Sequence, residues 1–255
     1  MYSYSINAQR SIFFIVVCLF SSINAGLAKS RTYLSTCKQS DPQFNECVKN
    51  EASAAGVYLA KGVPELNIPA IEPLIIPKIS LEQGTQAINY KATLTNLKIH
   101  GLSSYRIDDL FINMETKKLD AKITFPVLYL ESDYDIKGRA LVVPIQGTGP
   151  FTANLTDVKA DAHMKGKLFK RKGLEYVEVK DTAVKLTVKG AFAHFGNLFN
   201  GDPTLSRATN EFLNQNSKDI IDEVMPAIEE VTSTLLDDIC NKAFKATPWD
   251  KLTPK

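Results

Sequence analysis

The sequence has few of the residues on which catalysis and metal binding depend. Three histidines occur among 255 residues, and none has a second histidine at the spacing of metal ligands. The motifs H-E-x-x-H, G-x-S-x-G and G-x-x-x-x-G-K-[ST] are absent, and no C-x-x-C pair indicates a zinc ribbon or a redox centre. We therefore expect no enzymatic activity, no cofactor and no metal site.

The sequence also lacks an excess of charge of either sign. Its 30 basic and 28 acidic residues give a formal net charge of +2, which argues against binding to nucleic acid. One basic cluster stands out at a predicted β-hairpin tip. Clusters of this kind are usually exposed to solvent without a binding partner. The alternative is that this tip docks the protein to a receptor or to anionic lipid. The cluster consists of Lys165, Lys167, Lys170, Arg171 and Lys172.

Long apolar runs are missing apart from a short one near the N-terminus. Residues 12–20 form a nine-residue apolar run that follows Arg10 and precedes several small residues. This layout is typical of a secretory signal peptide over residues 1–25, with cleavage as late as residue 28. No later run of eighteen apolar residues occurs. Residues 26–255 are therefore expected to form a single secreted, extracellular domain without stable membrane insertion.

Cysteine is scarce, at four residues. Cys18 would leave with the signal peptide, and in an oxidising compartment the closely spaced Cys37 and Cys47 are natural disulfide partners. Closing so short a loop stabilises the fold by roughly 3 kcal/mol. Cys240 is then expected to be unbonded within the monomer, either as a free thiol or as half of an intermolecular bridge. Secretion also gives meaning to the one N-x-[ST] sequon, at Asn154, as a candidate N-glycosylation site.

Periodicity predicts where strands and helices lie in the first part of the chain. A helix is predicted from Asp41-Pro42 to Gly62, and an extended, proline-rich arm follows it. From about Thr85 to Phe195, apolar and polar residues alternate over long stretches. This pattern predicts long strands in a large, curved antiparallel sheet, with a hairpin turn at residues 170–173.

A helix of roughly forty residues is predicted from Asp202-Pro203 almost to the C-terminus. Its acidic residues, among them Glu229 and Asp237, fall away from the apolar stripe and are expected in solvent. A helix this long must lie along an apolar partner, and the strand region supplies one. The apolar stripe consists of Ile221, Val224, Ile228, Val231, Leu235 and Ile239.

The order of these features resembles the insect takeout and juvenile-hormone-binding-protein family. The resemblance rests on the cysteine pair around Asp41-Pro42, on the Gly-Val-Pro-Glu-Leu-x-Ile-Pro arm at residues 62–69, and on segments 195–202 and 212–216. It implies an α+β fold in which a highly curved antiparallel sheet wraps the long C-terminal helix around an elongated apolar tunnel. It also implies that the tunnel holds a juvenile-hormone-like terpenoid, a fatty acid or a quinone-like lipid, without enzymatic activity.

The lining of such a tunnel can be predicted from the apolar faces. Where a sheet and a helix do not fill the space between them, a dry cavity remains, and an apolar ligand can occupy it. One face of the clearest strand should oppose the apolar stripe of the helix, and neighbouring strands should contribute further residues. The predicted lining residues are Ile123, Phe125, Val127, Tyr129, Val142, Phe192, Ile221, Val224, Met225 and Ile228.

Two functions are compatible with these features. The first is a monomeric, secreted carrier of a small hydrophobic ligand. The second is an extracellular interaction or signalling protein with a vestigial tunnel, which would dock through the basic hairpin at residues 165–172.

Overall fold

The computed structural model of the protein describes residues 37–63, 69–84, 88–141, 143–244 and 248–249. The predicted signal peptide at residues 1–25, residues 64–68 of the proline-rich arm and the predicted lining residue Val142 lie outside the described residues.

Six strands occur among the described residues: β1 (Leu74–Gly84), β2 (Ile88–His100), β3 (Arg106–Asn113), β4 (Lys118–Ala140), β5 (Val143–Arg171) and β6 (Leu174–Phe195). They form one antiparallel sheet, in the order β1-β2-β4-β5-β6. The short strand β3 pairs with the first part of β4, and β2 pairs with the second part. This curled sheet, together with the C-terminal helices, confirms the predicted fold class.

The hairpin between β5 and β6 has the turn that the sequence predicts. Arg171 pairs with Leu174, so Lys172 and Gly173 form a two-residue loop. Both loop residues have positive φ, at 52° and 79°. This is the backbone conformation that matches the twist of the flanking strands in a tight hairpin.

The inward face of the sheet changes parity near the middle of its longest strands. On β4, Ile123 and Phe125 are buried, Val127 is exposed, and Leu128 is buried again. The pairing of β4 with β5 keeps the same register across this point, so β5 changes parity at the same level. There Asp157 has a φ of 49°, a left-handed conformation that interrupts a regular strand. The sheet therefore has two halves. On β4, odd-numbered residues such as Ile123 and Phe125 face inward in the first half, and even-numbered residues such as Leu128 face inward in the second.

The helices begin near the predicted residues, but each predicted helix is broken once. Ala55 separates α1 (Phe44–Ala54) from α2 (Gly56–Lys61), and Gly62 ends α2 with a φ of 79°, as its position predicts. The predicted forty-residue helix is likewise two helices, α3 (Pro203–Gln215) and α4 (Ser217–Phe244). Asn216 stands between them and leaves the helical conformation, at φ −109° and ψ 23°.

The C-terminal helices lie along the free edge of β6, and this position corrects the prediction for two acidic residues. Glu229 and Asp237 were expected in solvent, but Glu229 accepts a hydrogen bond from the backbone N–H of Leu186 at 2.9 Å. The carboxylate of Asp237 accepts one from the hydroxyl of Thr182. An edge strand presents unpaired N–H and C=O groups, so polar side chains on an adjacent helix find partners there.

The inner stripe of α4 also differs in detail from the predicted one. Leu236 and Cys240 are fully buried, whereas Leu235 is only half-buried. Pro226, inside α4, is exposed and so lies on the outer side of the helix. A proline there removes a backbone hydrogen bond on the side of the helix where water can replace it.

The predicted disulfide between Cys37 and Cys47 is present, with Cα atoms 5.9 Å apart. In the full-length chain Cys240 is also disulfide-bonded, which differs from the expectation of an unbonded Cys240 in the chain without its signal peptide. That expectation follows from the removal of Cys18 with the predicted signal peptide. With Cys37 and Cys47 paired, no other cysteine then remains to bond Cys240. The bonded sulfur belongs to a fully buried residue in the main hydrophobic core.

Candidate ligand-binding cavity

A cavity of about 280 Å³ lies between the second half of the sheet and the two C-terminal helices. Its floor is the inward face of β4, β5 and β6 beyond the parity change, together with residues of β1 and β2. Its roof is the end of α3 with the first turns of α4. The strand residues in its wall include Leu81, Tyr90, Ala92, Leu94, Leu130, Ile136, Ala140, Ile145, Phe151, Ala153, Leu155, Ala191, Ala193 and Phe195.

Four of the predicted lining residues border this cavity. Ile221, Val224 and Ile228 face it from one side of α4, and Leu213 and Ile220 extend that apolar wall. Phe192 also contributes to the wall, although its side chain is 59% exposed. Phe192 therefore borders the cavity only at its rim, and its exposed side chain lies on the outer face of the sheet, opposite Asn154.

The other predicted strand residues lie elsewhere, because the strand changes its inward face. Ile123 and Phe125 are buried in the tightly packed core of the first half of the sheet. The expectation that Val127 and Tyr129 continue the same inward face is wrong. Val127 is 52% exposed, and the ring of Tyr129 lies 5.7 Å from that of His100, on the outer side. On α4, Met225 is half-buried and does not border the cavity.

The residues that sequence reasoning missed lie mostly on β4 and β5 beyond the parity change. Leu130 and Ile136 on β4 replace the predicted Val127 and Tyr129. Ile136 belongs to a stretch in which apolar and polar residues alternate, so the strand could be predicted from the sequence. Which of its two faces points inward could not be predicted. A proline at position 126, directly before the change, is the available signal, because proline interrupts the ladder of a central strand.

Three aromatic rings form a rigid group at one end of the cavity. Tyr134 and Phe195 meet edge to face with ring centroids 5.1 Å apart, and Phe151 lies 4.8 Å from Phe195. The hydroxyl of Tyr134 donates to the carbonyl of Gly196 at 2.7 Å. Burial raises the pKa of Tyr134 to about 12, so its hydroxyl remains a neutral donor at physiological pH.

Two asparagines of α3 fix the edge of the sheet beside the cavity. The amide of Asn210 accepts from the N–H of Phe195 at 2.8 Å and donates to its carbonyl at 2.9 Å. The amide of Asn214 makes the same pair of bonds with Ala193, both at 2.8 Å. These contacts provide hydrogen-bond partners for backbone groups at the free edge of β6, where no further strand pairs. They also fix the position of the helix relative to the cavity wall.

A second, larger groove of about 600 Å³ lies between the end of β6 and α3. It is lined largely by polar and charged residues, including His194, Arg207 and Glu211. Phe192 and Phe195 also line this groove, but an apolar molecule gains less there than in the apolar cavity, because it displaces water from groups that need hydrogen bonds. The apolar cavity is therefore the better candidate for a lipophilic ligand.

Within the part of the chain that the structure describes, the histidine, cysteine and acidic residues form no group that could hold a metal ion. None of its helices combines the length and hydropathy that crossing a membrane requires.

Comparisons with known proteins agree with this fold. The chain is 26% identical over 253 residues to the circadian clock-controlled protein daywake of Drosophila melanogaster, covering 96% of this chain and 97% of that protein. It is 22% identical over 234 residues to a putative beta-carotene-binding protein of Schistocerca gregaria, covering 86% and 87% of the two chains. The crystal structure of Takeout 1 from Epiphyas postvittana superposes with a TM-score of 0.74 at 22% identity, covering 86% of this chain and 99% of that one.

A family model also matches almost the whole chain. The matched residues are 13–254, and the model describes the haemolymph juvenile hormone binding protein family. The curled sheet, the C-terminal helices and the structural likeness to Takeout 1 all agree with that match. The chain therefore belongs to the takeout and haemolymph juvenile hormone binding protein family.

Proposed function

We propose that the protein is a secreted, monomeric carrier that binds one small hydrophobic ligand in the cavity. The observation that carries this proposal is the chemistry of the cavity wall. Apart from Arg139, Asn214 and Ser217, its lining side chains are apolar or aromatic. The amide of Asn214 is already engaged with Ala193, so it offers a ligand little hydrogen bonding. Such a site favours a ligand that requires few polar partners.

The expected affinity follows from burial of apolar surface. Each methylene that moves from water into the cavity contributes about 0.8 kcal/mol. Roughly ten methylenes would contribute about 8 kcal/mol, which corresponds to a micromolar dissociation constant before the entropic cost of association. The cavity can therefore bind a lipid without a charged anchor.

The size of the cavity narrows the class of ligand. Its volume of about 280 Å³ lies near the lower limit of small-molecule sites, which occupy roughly 300–1,000 Å³. A juvenile-hormone-like terpenoid, a fatty acid or a quinone-like lipid with a short tail suits this volume. A carotenoid, after which the relative from Schistocerca gregaria is named, is a much longer molecule and suits it less well.

Two observations support secretion. The apolar run after Arg10 has the layout of a signal peptide, and we propose that it is removed to leave a single domain over residues 26–255. The disulfide between Cys37 and Cys47 is the kind of bond that persists in an oxidising compartment.

Extraction of the protein with organic solvent, followed by mass spectrometry of what is released, tests this proposal. The protein should be purified from the medium of insect cells under native conditions. One lipophilic compound in stoichiometric amount supports the carrier. An empty protein that also fails to bind any lipophilic probe, and instead retains a tight protein partner, supports an interaction protein with a vestigial tunnel.

We propose further that a basic surface docks the carrier to anionic membranes during delivery of its ligand. Lys118, Lys165 and Lys180 lie opposite one another on β4, β5 and β6, and all three are exposed. Like charges at directly opposite positions destabilise a sheet, so such a row indicates an external anion. Among the described residues, Lys118 and Lys165 form no ion pair, whereas Lys180 pairs with Glu178 at 3.1 Å.

The tip of the neighbouring hairpin adds an apolar group to this basic surface. Leu174 is 46% exposed and follows the basic residues Arg171 and Lys172. A combination of cationic and exposed apolar side chains suits an anionic lipid surface better than a purely polar partner. A protein receptor is the alternative that the vesicle measurement below would reveal.

A further inference from the structure

An apolar patch lies on the outer face of the sheet, where soluble proteins rarely place large apolar side chains together. It consists of Val127, Tyr129 and Phe192, and we name it the outer patch. Val127 is 52% exposed and Phe192 is 59% exposed, and Tyr129 is partly exposed beside them. The parity change of the strands brings these side chains outward. Exposed apolar side chains that are grouped in this way can mark a site that another group covers.

The only N-x-[ST] sequon of the sequence lies in the middle of this patch. Asn154 on β5 is directly opposite Tyr129 on β4 and Phe192 on β6. Thr156, the third residue of the sequon, is opposite Val127. Directly opposite residues have Cβ atoms roughly 4.5–5.5 Å apart, so all three apolar side chains lie within reach of a group attached to the sequon.

The side chain of Asn154 is available for modification. It is exposed, and within the described residues it forms no hydrogen bond that modification would break. Thr156 is also exposed, with one long contact of 3.4 Å from its hydroxyl to the carbonyl of Gly190. Gly190 leaves room for that hydroxyl, because a Cβ atom at position 190 would lie only 2.6 Å from it. The outer face therefore leaves both sequon side chains uncovered.

We propose that Asn154 carries an N-linked glycan whose first sugars lie on the outer patch. In this reaction the amide nitrogen of Asn154 forms a bond to C1 of the first sugar of a lipid-diphosphate-linked oligosaccharide. The bond from C1 to the diphosphate oxygen breaks, the lipid diphosphate leaves, and the amide nitrogen loses one proton. The inference rests on the secretory route of the proposed function, because that route supplies the sugar donor.

The apolar C–H faces of the first sugars explain why the patch is apolar. A ring attached at Asn154 can pack against Phe192 on one side and Tyr129 on the other, and it removes apolar surface from water on both sides. A protein partner would need a much larger complementary area for stable binding. The position of the sequon at the centre of the patch favours the glycan as the occupant.

Mass spectrometry of the protein secreted from insect cells tests the modification. The wild type and a Thr156→Ser variant, which keeps the sequon, should both carry a glycan on the peptide that contains Asn154. Asn154→Gln and Thr156→Ala should each abolish it. Wild-type protein recovered from the medium with an unmodified Asn154 would overturn the inference.

Thermal unfolding tests whether the sugars lie on the patch. Removing the glycan enzymatically from native protein should lower the midpoint of the wild type by about 2 °C. The same treatment should have a clearly smaller effect on Phe192→Ser, and the full effect on Val57→Ser, which replaces an exposed apolar residue on α2. An equal shift in all three proteins would overturn the packing of the sugars on Phe192.

The test separates this inference from the carrier function. An unglycosylated secreted protein that binds a lipophilic probe overturns the glycan alone. A glycosylated protein that binds no lipophile overturns the carrier function and leaves the glycan supported.

Discussion

The side-chain amide of Asn214 exchanges two hydrogen bonds with the backbone of Ala193, each 2.8 Å long. On α4 the amide of Asn241 does the same with Val179, again at 2.8 Å in both directions. Each asparagine side chain supplies one hydrogen-bond acceptor and one donor, as the backbone of a residue on a neighbouring strand would. The C-terminal helices therefore complete the hydrogen bonding of β6, and the sheet needs no further strand on this side.

Replacement of Asn214 by leucine should destabilise the protein by about 3 kcal/mol. The N–H and carbonyl of Ala193 would remain without partners beside the cavity, and each unsatisfied group costs about 1–3 kcal/mol. Urea unfolding of Asn214→Leu measures the loss, with the exposed neighbour Gln215→Leu as the control. A change below about 0.5 kcal/mol for Asn214→Leu would mean that water replaces the amide.

The two halves of the sheet should respond differently to truncation. Ile123 lies in the packed core, so Ile123→Ala should lower stability by about 2–4 kcal/mol and leave binding of a hydrophobic probe unchanged. Ile136 borders the cavity, so Ile136→Ala should alter probe affinity with a smaller loss of stability. The measurements are a urea titration and a fluorescence titration on each variant. The assignment fails if Ile123→Ala changes probe affinity more than Ile136→Ala does.

The protein should lose stability in acid partly through Glu72. Burial alone would raise the pKa of Glu72, but hydrogen bonds from Gly101 and Ser103 outweigh it and hold the pKa below its ordinary value of 4.5. Nearby His100 acts in the same direction. Because the folded state has the lower pKa, the ionised carboxylate stabilises the fold above the unfolded-state pKa. This contribution is lost as the pH falls through the folded-state pKa.

Urea unfolding at about pH 6 and pH 3.5 tests this pH dependence. Glu72→Gln should show a smaller loss of stability between the two pH values than the wild type. The control is Glu115→Gln, an exposed residue outside this network, which should behave as the wild type. Equal losses in the wild type and Glu72→Gln would show that other groups control the acid response.

Charge reversal at the lysine row should weaken membrane binding. The double variant Lys118→Glu/Lys165→Glu should bind vesicles that contain phosphatidylserine at least about tenfold more weakly than the wild type. The double variant Lys61→Glu/Lys78→Glu makes the same change of charge at exposed positions elsewhere and should bind within about threefold of the wild type. Vesicles of phosphatidylcholine alone provide the baseline. Equal weakening in both double variants would show general electrostatics, and no binding by the wild type would favour a protein receptor.

The strands and helices could be predicted because long alternation and a wide helical stripe survive local irregularities, whereas the wrapping of the sheet around the C-terminal helix was implied by the family resemblance. Ile221, Val224 and Ile228 share one face of a regular helix, so their common position at the cavity follows directly from the period of 3.6 residues. Strand residues are less predictable, because one local interruption reverses every later side chain. The interruption near Val127 therefore left Ile123 and Phe125 inside and placed Val127 in solvent.

Other differences arose from partners that are distant in sequence. A helical wheel places Glu229 on the outer face of the helix, which predicts a surface residue. In the structure, β6 provides two partners for its carboxylate, the N–H of Leu186 and the ammonium of Lys185. The break at Asn216 is similar, because no proline or glycine announces it in the sequence. Asn216 bonds back to the carbonyl of Phe212 through both its backbone N–H and its side-chain amide. Asparagine side chains commonly compete with helical hydrogen bonding in this way.

The central claim is that the cavity beneath α4 binds the hydrophobic ligand, and a pair of adjacent tryptophan substitutions tests it most directly. Val224 borders the cavity, whereas its neighbour Met225 does not. Val224→Trp should fill the cavity and weaken binding of a hydrophobic fluorescent probe by at least about tenfold, with a melting temperature within about 3 °C of the wild type. Met225→Trp should leave the affinity within about twofold of the wild type. Undiminished binding by Val224→Trp, or equal losses in the two variants, would contradict the account.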